Sequence, residues 1–183
     1  MERTALIVVD AQYDFMPGGS LAVPNGDEIV AYINSIVDNY ALVLFTKDYH
    51  PKDHCSFLGF GGQWPEHCVV ETEGAKIHSG IRVSVETYAP LIYKGVHRDF
   101  DSYSGFCSGG DFETKLREIL EDEGITSVDV CGLATDYCVK ATVLDALKFG
   151  LGATVLIGGC RGITQETSDA AIKAMVNAGA KVR

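Results

Sequence analysis

Cys138 stands in the run Gly132-Leu133-Ala134-Thr135-Asp136-Tyr137-Cys138, where a β-branched stretch gives way to a helical pattern. A thiol at a helix start meets free amides and the positive end of the macrodipole, and both favour the thiolate. A lysine nearby would favour it further, and a carboxylate nearby could accept its proton. Amides of the Ala134–Cys138 turn could also hold a developing oxyanion. The plainer alternative is a small buried thiol, the commonest fate of a cysteine. Asp10 and Lys94 each close an apolar run. A lone buried charge is costly, so the two form either a structural ion pair or a catalytic one. Together with Cys138 they supply a base, a cation and a nucleophile, a set that fits acyl transfer.

A second group is Asp48, His50, His54 and His67. In extended chain, Asp48 and His50 point the same way because the side-chain period is two. Two such ligands plus a distant histidine can form a facial set with open positions for water or substrate. The alternative is a group of hydrogen-bonded loop histidines, although four of the five histidines crowd into residues 50–78. Phe15, Trp64 and Tyr103 lie in the same candidate loops, as ordinary packing or as walls for a flat ring.

Alternating strands and helices must position these groups. Thr4–Asp10 reads as a strand buried on both faces. Asn25–Asn39 reads as a helix with Ile29, Ile33, Ile36 and Val37 on one stripe. Leu42–Lys47 is a strand, 48–88 is irregular, and Pro90–Lys94 is a short strand. Asp111–Asp122 is expected to be helical with Phe112, Leu116, Ile119 and Leu120 inward. Ser127–Cys131 (strand), Asp136–Phe149 (helix), Ala153–Ile157 (strand) and Gln165–Ala178 (helix) follow. The last helix should turn Ile172, Met175 and Val176 inward, and Lys181–Arg183 begins a final strand. Strands separated by helices imply parallel pairing with right-handed crossovers. The expected fold is a three-layer α/β/α sandwich around a mainly parallel, Rossmann-like sheet, formed by one domain over residues 1–183. Ligands of such sheets sit beyond the carboxyl ends of the strands. The long segments 48–88 and 95–110 exceed ordinary connections and read as functional loops.

The composition agrees. The chain has 183 residues, 46% of them hydrophobic and 22% charged, with 25 acidic residues against 15 basic ones. A net charge of −10 argues against nucleic acid and against anionic membrane as partners. The longest apolar run, Tyr40 to Phe45, is far short of the roughly 20 residues a membrane helix needs. Five apolar residues after Thr4 are too few for a signal-peptide core, so a cytoplasmic protein is expected. Its six cysteines, none in a CxxC pair, are then expected to be reduced thiols.

At these residues the chain resembles the cysteine hydrolases of the isochorismatase-like superfamily and, within it, the nicotinamidases. The matching segments are IVVDAQYDFMPGGSLAV (7–23), TKDYHPKDHCSF (46–57), WPEHCV (64–69), YKG (93–95), DSYSGF (101–106) and GLATDYCV (132–139). The first and last mark the superfamily; D-x-H-P with W-P-x-H-C, and DSYSGF, are more specific to nicotinamidases. The resemblance implies Asp10, Lys94 and Cys138 as a catalytic triad. It implies Asp48, His50 and His67 as ligands of one divalent ion, zinc first, with iron or manganese as alternatives. It places Phe15, Trp64 and Tyr103 around a pyridine ring, and a cis peptide at Ala134–Thr135 that aims the Ala134 and Cys138 amides at an oxyanion. Members differ in whether the position of His54 is a further ligand. The implied reaction converts nicotinamide and water to nicotinate and ammonia in NAD salvage, by a monomer or a homo-oligomer. The rivals are another small-amide hydrolase of the superfamily and a catalytically silent relative. The intact Asp10, Lys94 and Cys138 argue against the second.

Overall fold

The computed structural model describes residues 3–82 and 90–183, so the end of the irregular stretch, 83–88, lies outside the described residues. Six strands form one all-parallel sheet: β1 (Thr4–Val9), β2 (Val43–Asp48), β3 (Leu91–Lys94), β6 (Ser127–Leu133), β7 (Gly152–Arg161) and β8 (Lys181–Val182). Their spatial order is β3-β2-β1-β6-β7-β8. Nearly every residue of β1, β2 and β6 is buried. That requires cover on both faces and explains the unbroken apolar run Ala5–Val9 of β1. Helices α1 (Glu28–Ile36), α2 (Leu116–Asp122), α3 (Lys140–Lys148) and α4 (Gln165–Asn177) provide it. The expected parallel α/β sandwich is what forms.

Several element boundaries differ from the sequence reading, each for a local reason. Asn25 has φ +55°, which a helix cannot continue, so α1 begins only at Glu28 and ends in a 3-10 turn over Val37–Asn39. Ile29, Ile33 and Val37 are buried as expected. The stretch 107–113 is not helical. Gly109 and Gly110, both at positive φ, turn the chain between β4 (Cys107–Gly109) and β5 (Phe112–Glu113), a small antiparallel hairpin. Phe112 therefore faces solvent, lying against His97 and Phe100 rather than in the core. In α4 Met175 is buried but Val176 is exposed, because the buried stripe runs through Ser168, Ala171 and Met175. β7 extends through Gly158 and Gly159, where a Cβ would meet the Tyr32 ring at 2.5 and 2.6 Å. Among the described residues no helix is long and apolar enough to cross a membrane.

Candidate active site

Strand order brings the singled-out residues to one end of the sheet. β3 ends in Lys94, β2 in Asp48, β1 runs into Asp10, and β6 leads through Ala134 to Cys138. Asp10 has φ +47°, which turns the chain out of β1 where its carboxylate faces inward. Thr46 of β2 donates its hydroxyl to Asp10 Oδ1 at 2.6 Å. Asp10 Oδ2 makes an ionic contact with Lys94 Nζ at 2.9 Å. The same ammonium donates to Cys138 Sγ at 3.4 Å and to Asp48 Oδ1. Asp10 and Lys94 are both wholly buried and Cys138 nearly so. The three residues read as base, cation and nucleophile thus meet, with Lys94 between the other two.

Burial pushes the Asp10 carboxyl up from its ordinary range, and Asp48 adds to this while Lys94 opposes it. Burial opposes charge on Lys94, but the Asp10 and Asp48 carboxylates more than reverse that and hold its pKa well above the usual lysine value. The Cys138 thiol is pushed well up, by burial first and by Asp10 and Asp48, against Lys94. This corrects the expectation of an unusually acidic thiol. The helix start does not dominate, because the sulfur faces two carboxylates in a dry site. Both shifts run the same way, so a thiol that releases its proton less readily faces a carboxylate that takes one up more readily.

Asp48, His50 and His67 are each at most 5% exposed and offer donor atoms within 4.8 Å of one another. Nδ1 of His50 meets the Gly95 carbonyl at 2.8 Å, and Nδ1 of His67 meets the Pro65 carbonyl at 2.8 Å. Each carbonyl accepts the Nδ1 proton, which leaves the Nε2 atoms as the ones facing Asp48 Oδ2, at 3.7 and 3.9 Å. Tetrahedral zinc with nitrogen and oxygen ligands separates its donors by about 3.4 Å, so this set fits a divalent ion. Burial opposes ionisation of Asp48, yet Lys94 and His50 hold its carboxyl well below the usual range. Burial lowers the pKa of His67, which keeps that ring neutral and able to ligate. His54 is not part of this group. Its Nδ1 meets the Ser56 hydroxyl at 2.7 Å, its Nε2 meets the Phe100 carbonyl at 3.2 Å, and its ring stacks on His50 at 4.2 Å.

A pocket opens over Cys138 and this histidine pair, walled by Phe15, Trp64, Tyr103 and Tyr137. Trp64 Nε1 donates to Tyr103 Oη at 3.1 Å and the indole meets Tyr137 edge-on, so the three rings brace one another. The sequence reading assigned no role to Leu21, Val23, Asp101, Ser102, Tyr137 or Ile163 in this lining. All but Ile163 lie inside the matching segments, and Tyr137 stands beside Cys138. Ala134 lines the pocket with Cys138, and Thr135 is buried in the π turn Thr135–Val139. The cis peptide lies at Leu133–Ala134, one bond before the Ala134–Thr135 position the resemblance implied. β6 stays paired through Leu133, opposite Arg161, so the turn pivots directly after the last paired residue.

Residues 4–183 match the isochorismatase domain model. The chain is 39% identical to the nicotinamidase of Escherichia coli, with 93% of this chain and 89% of that protein covered. It is similar in structure to a pyrazinamidase of Pyrococcus horikoshii in complex with zinc, with a TM-score of 0.91, 41% identity and 99% and 98% of the two chains covered. It is also similar to the yeast nicotinamidase bound to the inhibitor nicotinaldehyde, with a TM-score of 0.91, 28% identity and 98% of each chain covered. With buried acid, lysine and thiol at the strand ends and a match over nearly all its length, the chain belongs to the isochorismatase family of hydrolases.

Proposed function

We propose that this protein is a nicotinamidase that hydrolyses nicotinamide, and pyrazinamide, to the carboxylate and ammonia through a thioester on Cys138. The observation that carries the reading is the meeting of two sets of groups in one aromatic pocket. Asp10, Lys94 and Cys138 lie below it, and the Nε2 atoms of His50 and His67 lie at its side with Asp48. In the first step Asp10 takes the Cys138 proton and the sulfur bonds to the carboxamide carbon, placing negative charge on the amide oxygen. The Ala134 and Cys138 amides are assigned to that oxygen. The charge returns, the C–N bond breaks, and Asp10 returns its proton to the departing nitrogen, which leaves as ammonia. Asp10 then takes a proton from water as the water oxygen attacks the thioester. The C–S bond breaks, the sulfur regains that proton, and the carboxylic acid ionises on release. Raised by burial, Asp10 is a stronger base than an exposed aspartate, which suits it to a thiol that burial has also made less acidic. Lys94 stabilises the thiolate as it forms and keeps Asp10 aimed at it.

Asp48, His50 and His67 would hold one divalent ion, zinc by preference, since two imidazoles and one carboxylate suit it. When bound, the ion supplies a Lewis-acidic site for the ring nitrogen of a pyridine carboxamide and so sets the amide over Cys138. Phe15, Trp64 and Tyr103 enclose the ring. The product and the six unpaired thiols fit NAD salvage in a reducing cytoplasm. Ammonia release from nicotinamide, measured before and after chelation and again in Cys138→Ala, tests the reading. Turnover by the parent that both treatments abolish is expected. Undiminished turnover in Cys138→Ala, or none in the zinc-loaded parent, would overturn it.

A further inference from the structure

Gln12 is wholly buried, lies outside both groups described above, and directs both ends of its side-chain amide at the end of β2. In a parallel pair, alternate residues of one strand turn both their N–H and their C=O toward the same neighbour. Along β2, Thr46 faces β1 and its carbonyl accepts the Asp10 amide at 3.2 Å. The next residue facing β1 is Asp48. The ladder would continue with Asp48 N–H bonded to the Asp10 carbonyl and the Gln12 amide bonded to the Asp48 carbonyl. It does not, because Asp10 turns out of the strand at φ +47° and the Gln12 amide folds back to the Asp10 carbonyl at 2.7 Å. Both backbone groups of Asp48 would be left buried without partners. The Gln12 side chain takes both. Its Oε1 accepts the Asp48 N–H at 2.8 Å and its Nε2 donates to the Asp48 carbonyl at 2.8 Å. The second Nε2 proton goes to the Ala75 carbonyl at 3.0 Å. On its other side β2 stays tied to β3, through Tyr49 N–H and the Lys94 carbonyl at 3.0 Å.

From this geometry we infer that Gln12 is a positioning residue for the metal centre: its amide stands in for the missing β1 ladder and fixes Asp48. The Asp48 carboxylate has to reach Lys94 with one oxygen and the His50 and His67 nitrogens with the other. A strand end free to shift would spoil both. The same loop holds the other side of the site, since Asp14 Oδ2 accepts the Cys68 amide at 2.7 Å, beside His67. The inference rests on the reading of Asp48, His50 and His67 as ligands.

The test is zinc affinity, measured on the whole chain with zinc alone by competition against a chromogenic chelator, alongside the melting temperature of the metal-free protein. Gln12→Met keeps the volume and removes every polar bond. Losing such a supporting partner typically weakens metal binding by about 10- to 100-fold, and that is the expected result. Leu120→Ala, a core truncation in α2, lowers stability without touching the site and should bind zinc as the parent does. If Gln12→Met does not fold, Gln12→Asn replaces it. One methylene shorter, it cannot span both Asp48 groups, and the same loss is expected. Weakening short of tenfold, or an equal loss in Leu120→Ala, overturns the inference. A parent protein that binds no zinc overturns the ligand reading instead.

Discussion

Lys94 carries two carboxylates, and its removal gives a prediction with a sign as well as a size. The ammonium lies 2.9 Å from Asp10 Oδ2 and also contacts Asp48, with no exposure to solvent. At that distance the attraction to Asp10 alone is about 6 kcal/mol if the effective dielectric constant is about 20. Desolvation of both ions offsets part of this, and removing one partner of a buried pair costs about 3–5 kcal/mol in practice. Lys94→Met, similar in length and apolar, should therefore lose about 3–5 kcal/mol in urea unfolding of metal-free protein, a large share of an ordinary domain's stability. The pH dependence follows from Asp10. Burial already holds its carboxyl above the unfolded value, and Lys94 is the main group pulling it down. Without Lys94 the folded state keeps a proton there that the unfolded state releases above about pH 4, so stability falls as pH rises and recovers on acidification. In the parent, Asp48 works the other way, because Lys94 holds its folded pKa below the unfolded one. That opposing contribution also shrinks in the variant. Lys94→Met should thus gain clearly more stability than the parent between about pH 8 and about pH 5.5, with an unchanged denaturant slope. Its Asp10 would hold a proton to higher pH than in the parent and be less available as a base, and ammonia release from nicotinamide should fall steeply. A loss under about 1 kcal/mol, or the same pH dependence in both proteins, would refute the placement of Lys94 as the counter-ion of a buried pair.

Three further outcomes are expected. His67→Ala should lose bound zinc strongly, whereas His54→Ala should keep it within about tenfold, because both His54 nitrogens already meet protein partners; metal analysis after dialysis separates the two. Gly95→Ala should weaken zinc binding by at least about tenfold: the new Cβ would stand 2.3 Å from His50 Cε1 at a residue with φ +60°, and unchanged affinity in a chelator competition would contradict this. Benzamide, which lacks the ring nitrogen, should be hydrolysed far more slowly than nicotinamide or pyrazinamide by zinc-loaded enzyme, and equal rates in an ammonia assay would sink the ring-nitrogen role.

What could be read from the sequence follows from the range of the interaction concerned. The central strands were legible because β1, β2 and β6 are buried on both faces, which leaves runs rich in apolar and β-branched residues in one dimension. Asp10, Asp48 and Lys94 were legible because each stands at or just past the carboxyl end of a strand, and Cys138 because it follows a strand at the start of a helical pattern, where open parallel sheets build their sites. The hairpin at 107–113 was not, because the helical spacing of Phe112 and Leu116 says nothing of Gly109 and Gly110, whose positive φ values redirect the chain. The state of the Cys138 thiol was misread for a deeper reason. A helix start is a local feature, but the groups that set this pKa are Asp10, Asp48 and Lys94, which lie 128, 90 and 44 residues away in sequence and come together only across neighbouring strands. Gln12 shows the same limit. Nothing in its type or spacing says that β1 stops one residue too early for Asp48, and only the register, with Val8 opposite Phe45 as the last pair, reveals a gap of one ladder step that a side-chain amide fills. The sequence thus displays the residues that could do chemistry, while the backbone register decides which of them are held still enough to do it.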